Sequence, residues 1–389
     1  MKYDSLRHFN SRSPWDEQAL CQQLAKDVNR CIGGFSDTAL IIDPSSFPKK
    51  GNHSVGVARQ WSGRQGKIDN CQIGVFSALS RENESCLIDK RLYLPKHWCE
   101  DTKRCDKAGI PVSKRTYKST AELALDLIES ADDQGLQYEW IGLDGEFGKQ
   151  PWFIRALAEK GKDFVIDVHK HLHIYLQNPK RSIRYKDLPG SGSLRSTPKS
   201  IRIDVWAQQQ RKGWKSKSLR EGTKGTIKAK FISRTVWFWE DKEKEPLLLH
   251  LIIRKEQAAP NKHRYKYSLC RAPFTLSLRQ LAKRQGQRYW VEQAIKDAKK
   301  DAGMADYQSR GWKAWHHHVA LSLLACLFML EIRLKKDKTL VKLSNTDIRE
   351  ILQFLLPIGP SSIQQLFKII YFRHLQRIGE YCNDEIQLE

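Results

Sequence analysis

The sequence predicts an α/β fold in which a mixed sheet carries helices on its faces. Two features predict it: short apolar runs bounded by Gly, Asn or Ser come first, and helical and strand-like periods then alternate. At 389 residues the chain is long enough to bury one large core with a segment inserted into it.

The elements follow in order. A helix is expected over 14–31, started by Ser13 before Pro14, with Leu20, Leu24, Val28 and Ile32 at near-helical spacing. The run 38–43 is an apolar strand ending on Asp43, and strands at 53–61, 71–79 and 86–94 join it in an antiparallel meander. An amphipathic helix at 118–131 precedes 139–144, a second apolar strand ending on an aspartate, Asp144; a helix near 151–160 and a strand at 163–168 come next. Beyond residue 178 the composition changes: 179–240 holds sixteen Lys or Arg against four Asp or Glu, a net +12. Its alternating segments 201–206 and 227–239, and the run 247–253, predict a strand-built insertion. From 276 onward the signal is helical, at 276–285, 288–301, 312–334, 345–357 and 361–379, with Pro357 and Pro360 as a break. The implied division is an N-terminal helical segment (1–35), a first core part (36–178), the basic insertion (179–275), a second core part (276–335) and a helical C-terminal region (336–389).

Charge narrows the function classes. A net +23 and a pI near 9.6 fit a polyanionic partner, because each neutralised phosphate releases a condensed counterion; a basic surface that only aids solubility is the other reading. The nine cysteines are odd in number and show no C-x2-C pair, so they read as reduced thiols of a cytoplasmic protein. Residues 1–15 have no apolar core of a signal peptide, and 319–334 falls short of the roughly 20 residues a bilayer needs, so no membrane segment is expected. No phosphate-binding or dinucleotide Gly motif is present, and no nucleotide cofactor is expected.

Two strands ending in Asp and a later carboxylate on a basic helix match the needs of two-metal phosphodiester chemistry, in which hard carboxylate oxygens hold two cations beside a phosphate. Asp43 and Asp144 are 101 residues apart, and Glu292 lies 148 further on. Arg288, Glu292 and Lys299 sit at i, i+4 and i+11 with Lys296 beside them, an arrangement that suits either metal and phosphate binding or an ordinary exposed Arg-Glu-Lys face. A strand-end Asp is equally a turn or cap residue.

Longer motifs carry a resemblance. Phe47-Pro-Lys-Lys-Gly51, Ser54-Val-Gly-Val-Ala-Arg-Gln60, Asn70-Cys-Gln-Ile-Gly-Val-Phe76, Leu87-Ile-Asp-Lys-Arg-Leu-Tyr-Leu-Pro-Lys96 and Arg310-Gly-Trp-Lys-Ala-Trp-His-His-His318 resemble segments of insertion-sequence transposases of the insertion sequence 701 type, over roughly residues 8 to 335. The resemblance implies a ribonuclease-H-like, five-stranded mixed sheet flanked by helices, with a mainly β insertion before the last catalytic helix and a helical C-terminus. It implies Asp43, Asp144 and Glu292 as ligands of two magnesium ions, with manganese as a substitute. It maps a Tyr-x2-Arg-x3-Glu-x6-Lys signature onto Arg288, Glu292 and Lys299, with the Arg and Lys contacting transposon-end DNA; Gln285 stands at the Tyr position, where Tyr289 or Trp290 would have to substitute. The implied activity is cleavage and strand transfer at insertion-sequence ends in a prokaryotic cytoplasm, by a homodimer on DNA. The alternative is a decayed or domesticated relative that only binds DNA. Relatives carry a further helical region ahead of Arg7–Trp15, so either this copy is shortened or the DNA-binding load falls on the insertion and C-terminal helices.

The remaining candidates each have two readings. Lys49, Lys50 and Arg59 touch phosphate or form a solvated hairpin. Trp206, Trp214, Trp237 and Trp239 stack on an unpaired base or feed a small core. His316, His317 and His318 face different directions on a helix and are expected to pack rather than share an ion.

Overall fold

The computed structural model describes residues 3–63, 65–181, 183–184, 195–196, 198–222, 225–240, 245–259, 262–335 and 343–355, together with 364 and 371. It divides into a unit of Met1–Asp337 and another of Lys338–Glu389. The first begins with α1 (Tyr3–Ser11) and α2 (Glu17–Ile32), then β1 (Ala39–Pro48), β2 (Ala58–Ser62), β3 (Lys67–Arg81) and β4 (Glu84–Leu92). Next come α3 (Lys96–Glu100), α4 (Thr102–Ala108), α5 (Thr120–Asp133), β5 (Trp140–Leu143), α6 (Pro151–Glu159) and β6 (Phe164–Val168). The basic region holds the short strands β7 (His173–Ile174), β8 (Ile183–Arg184), β9 (Arg195–Ser196) and β10 (Ile201–Arg202), the helix α7 (Ile203–Gln209), and the long strands β11 (Lys215–Gly222), β12 (Gly225–Phe238), β13 (Leu247–Ala259) and β14 (Lys262–Arg271). The unit closes with α8 (Leu278–Gln287), α9 (Tyr289–Lys300) and α10 (Trp312–Leu334). In the second unit α11 (Asn345–Leu355) stands where a helix over 345–357 is expected; the one expected over 361–379 lies, apart from residues 364 and 371, outside the described residues.

The sheet is mixed, as predicted. β1 pairs antiparallel with β3 and parallel with β5, β5 parallel with β6, and β4 and β2 each pair with β3. The core strands are apolar on both faces, as parallel strands covered by helices must be: Leu40, Ile41, Ile42, Ile141, Leu143, Phe164 and Ile166 are all fully buried. The short strands of the basic region pair among themselves, β7 with β10 and β8 with β9, but its long strands do not form a separate sheet. β14 adds antiparallel along the outer edge of β6, and β13, β12 and β11 follow, so the sheet has ten strands rather than five. An exposed β6 edge would leave a row of backbone donors and acceptors unpaired, and β14 satisfies them.

Local chemistry corrects several boundaries. The first long helix starts at Glu17 and not at Pro14, because the Asp16 carboxylate accepts from the Gln18 and Ala19 backbone N–H groups. Residues 53–57 are not strand; pairing begins at Ala58. The alternation at 201–206 is misleading: Ile203, Trp206 and Ala207 are buried at helical spacing on α7. α10 runs 23 residues and is long and apolar enough to cross a membrane, which corrects the shorter stretch read from the sequence. It packs on α2 and β4 and sends Val319, Ala320, Leu323, Leu327 and Leu330 into the core, as a core helix does. Ser119–Glu122 and Ser277–Gln280 form capping boxes that start α5 and α8.

Gly148, in the turn after β5, lies against the end of β6: a Cβ there would stand 2.0 Å from the Asp167 carbonyl oxygen. The obstacle is backbone, which cannot swing aside. Gly148→Ala is therefore expected to destabilise the protein by about 1–3 kcal/mol, read as a lower denaturant midpoint with unchanged slope; an unaltered midpoint contradicts the packing.

Candidate active site

The sheet register gathers the acids. Ile42 pairs with Leu143, and Leu143 with Ile166, so the next residue along each of three neighbouring parallel strands is an aspartate: Asp43, Asp144 and Asp167. Asp43 does not end its strand, as the sequence had implied, because β1 runs on to Pro48 against β3; what ends there is its parallel pairing with β5. The Asp144 carboxylate accepts from the Gly145 N–H at 2.5 Å, which turns the chain away. Sequence reasoning missed Asp167, although its signal is visible: Leu-Ile-Ile-Asp43, Ile-Gly-Leu-Asp144 and Phe-Val-Ile-Asp167 share one pattern.

The fourth carboxylate comes from the helices. α8 and α9 meet at Arg288, whose φ of −54° and ψ of −27° stay helical. Two pins hold this helical pair on the sheet. Gln287 Nε2 donates to the Asp37 and Ser80 carbonyls at 3.0 and 2.9 Å, and Lys299 Nζ donates to Ser45 Oγ at 2.8 Å and to the Ser46 carbonyl at 2.7 Å. Glu292 lies between the pins in the first turn of α9.

All four acids meet one cation. Arg288 Nη1 lies 3.5 Å from Asp43 and 3.7 Å from Asp144, Nη2 lies 2.8 Å from Glu292, and Nε lies 3.1 Å from Asp167. Asp43 and Asp167 are largely buried, whereas the Asp144 and Glu292 side chains are 40% and 48% exposed and mark the open side. Burial, first, and the neighbouring carboxylates push the Asp43 carboxyl up to about 8, against the pull of Arg288. Burial alone would lower the Arg288 guanidinium; the four acids outweigh it and hold its pKa above the usual value. Lys266 on β14 is pushed down by burial and then by Arg288. One guanidinium does not balance the four carboxylates, in keeping with the upward push on Asp43.

The other expected site residues divide. Lys49 turns inward, donating to the Tyr307 carbonyl at 2.8 Å with its ammonium 4.8 Å from the Tyr307 ring centroid. Arg288 and Lys299 are engaged with carboxylates and with β1 rather than held out to solvent. Lys50, Arg59 and Lys296 are exposed. Trp237 is half-buried and bridged to Tyr175 through its backbone, and Trp206 is in the core. Gln285 is 4% exposed and donates to Ser268 Oγ at 2.7 Å, so its side chain is an interior strut and not a surface contact. The three histidines pack as expected: His316 on the Trp312 carbonyl, His317 stacked on Trp15, His318 on the Gly303 carbonyl.

Carboxylates gathered on one row across neighbouring parallel strands of a mixed sheet define a class of acid-centred α/β proteins. Residues 1–226, more than half of the chain, match the family of DDE superfamily endonucleases, and the chain belongs to that family. The match takes in Asp43, Asp144 and Asp167 and ends before Glu292. The chain is also similar to a protein of Microchaete diplosiphon described as "Probable transposase for insertion sequence element IS701", with 23% identity over 83% of this chain and 73% of the relative. Both findings bear out the resemblance read from the motifs. Among solved structures, the NurA nuclease of Sulfolobus solfataricus aligns over 76% of this chain and 86% of its own at 10% identity, but a TM-score of 0.30 supports no statement about fold.

Endonucleases of this superfamily generally use divalent metal ions. The donor set here fits such an ion in chemistry: four hard carboxylate groups with an unmet negative charge. Among the described residues no three acids, histidines or thiols stand close enough to share one ion, and the Arg288 guanidinium stands where the four carboxylates converge.

The Asp43 shift has a consequence for stability. A carboxyl whose folded-state pKa of about 8 lies above the unfolded value carries a penalty that is absent below pH ~4, grows with rising pH and is complete above pH 8. In metal-free protein, Asp43→Asn is expected to leave the melting temperature nearly unchanged at pH 4 and to raise it progressively up to pH 8. Melts in which the gain does not depend on pH contradict the shift.

Proposed function

We propose that the chain is a DNA transposase that cleaves DNA at the ends of an insertion sequence and joins the freed end to a target. The observation that carries this reading is the convergence of Asp43, Asp144 and Glu292, from segments far apart in sequence, on a single guanidinium. The order β4-β3-β1-β5-β6, with β1, β5 and β6 parallel and β3 antiparallel, supports a ribonuclease-H-like core.

In this reading Asp43, Asp144 and Glu292 would hold two divalent cations, magnesium or manganese, which when bound would supply Lewis-acid chemistry at the phosphate. Water attack on one strand breaks a phosphodiester P–O bond and leaves a 3′-hydroxyl. That hydroxyl then attacks a second phosphodiester, in the opposite strand or in target DNA. Each step breaks one P–O bond for each it makes, so no nucleotide energy source is required. Glu292 and Asp144, on the open side, face the incoming backbone. Lys50, Arg59 and Lys296, together with the basic strands β11 and β12 of the 179–275 insertion, meet duplex phosphates. Two protomers bring the two ends together.

Asp43→Ala, Asp144→Ala and Glu292→Ala are each expected to lower magnesium-dependent cleavage of the cognate ends by at least ~100-fold, the scale of losing a positioned catalytic group. Salt-sensitive DNA binding, followed by mobility shift, stays within a few-fold of the wild type. Normal cutting by any one variant removes that residue from the site. DNA binding by the wild type with neither cleaved nor joined products would make the chain a DNA-binding relative instead.

A further inference from the structure

Arg288 is placed unlike a residue whose only task is to touch DNA. Its side chain is 10% exposed, and its three nitrogens are shared among four carboxylates. The nitrogens are not equivalent. Nε, nearest the backbone, lies on Asp167, while the two terminal nitrogens face Asp43, Asp144 and Glu292, the residues assigned above to the metal.

Asp167 is fixed independently of the other acids. Its Oδ1 accepts from Ser268 Oγ at 2.6 Å, and Ser268 Oγ accepts from Gln285 Nε2 at 2.7 Å. Ser268 is fully buried and Gln285 nearly so, so this chain of neutral donors is shielded from water and holds one orientation. Both Asp167 oxygens are thus committed, one to Ser268 and one to Arg288.

From this geometry we propose that Arg288 is a resident counter-cation of the acidic centre, which a divalent ion has to displace, and that Asp167 is the pivot on which it turns. The inference rests on the metal reading above. A divalent ion held by Asp43, Asp144 and Glu292 and a guanidinium lying against the same oxygens are like charges in a poorly solvated space, and they repel strongly. The terminal nitrogens lose their partners while the Nε contact to Asp167 lies to one side and persists. The released end of the guanidinium has one route, toward the open side marked by Asp144 and Glu292, where a DNA phosphate would give it a new partner. Arg288 thereby offsets part of the charge of the centre until the ion arrives, and cation binding is coupled to DNA binding because the phosphate rewards the displaced state.

The test measures Mn2+ binding to the full chain without DNA, by paramagnetic resonance of free Mn2+ and by calorimetry, for the wild type, Arg288→Gln and Asp167→Asn. Arg288→Gln is expected to bind Mn2+ about tenfold more tightly than the wild type, within the usual range of coupling between sites, and to show a larger Mn2+-induced rise in melting temperature. Asp167→Asn is expected to keep its affinity within about threefold of the wild type, below the roughly 10–100-fold loss that removing a metal ligand's own hydrogen-bonding partner brings. Equal or weaker binding by Arg288→Gln overturns the displacement, and a loss beyond about tenfold in Asp167→Asn ties that residue to the ion and overturns its role as pivot. Should Arg288→Gln not fold, Arg288→Lys decides: a single ammonium cannot span four acids, so tighter Mn2+ binding than the wild type is expected, and its absence overturns the proposal. A wild type that binds Mn2+ only at the level of a Asp43→Ala/Glu292→Ala double variant, with or without DNA, brings down the metal reading and this inference together; binding by the wild type without a gain in Arg288→Gln brings down this inference alone.

Discussion

Four carboxylates forced together around one guanidinium is the constraint on which the rest of the site depends. Like charges at such spacing repel, and taking them out of water adds a further cost, so the arrangement exists only because rigid elements impose it. Three of the acids follow one paired row of the ladder through β1, β5 and β6, and the strands on either side of that row are packed with fully buried Ile, Leu and Phe side chains. The core that stabilises the fold therefore holds a centre that opposes it electrostatically, and the raised Asp43 carboxyl records that opposition.

The helical side of the centre is held differently. No backbone ladder joins α8 and α9 to the acids; side chains do that work, with Gln287 tied to the chain ends of β1 and β3 and Lys299 tied to Ser45 and Ser46. A basic residue near the clustered carboxylates is thus not automatically a ligand for a phosphate. Lys49 and Lys299 brace the structure, Arg288 offsets part of the charge of the centre, and Lys50, Arg59 and Lys296 remain on the surface. Basic residues of one region so fall into distinct physical roles that composition cannot separate.

Much of the fold was legible because apolar periodicity and turn chemistry act locally. The strands carrying Asp43 and Asp144, the helices α5, α6 and α10, and the basic strand region are all visible from spacing, and Asp43, Asp144 and Glu292 stand out in the sequence as candidates. Errors arose where a local pattern admitted two periods, as in α7, or where a stronger cap lay a few residues on, as at Asp16. β11 and β14 escaped notice because Lys and Arg alternate through them and weaken the apolar signal; pairing with β12 and β13 makes them strands.

The sequence by itself determined a basic α/β chain with acids following apolar runs, since charge, hydrophobic period and the motifs shared with transposases are all written along the chain. Only the tertiary structure decided that Asp167 joins the other acids, that Gln285 is an interior strut, that the basic strands extend the core sheet, and that Arg288 lies among the carboxylates. The physical reason is register: which side chains share a row, an edge or a cation depends on strand pairing and helix docking between segments about a hundred or more residues apart.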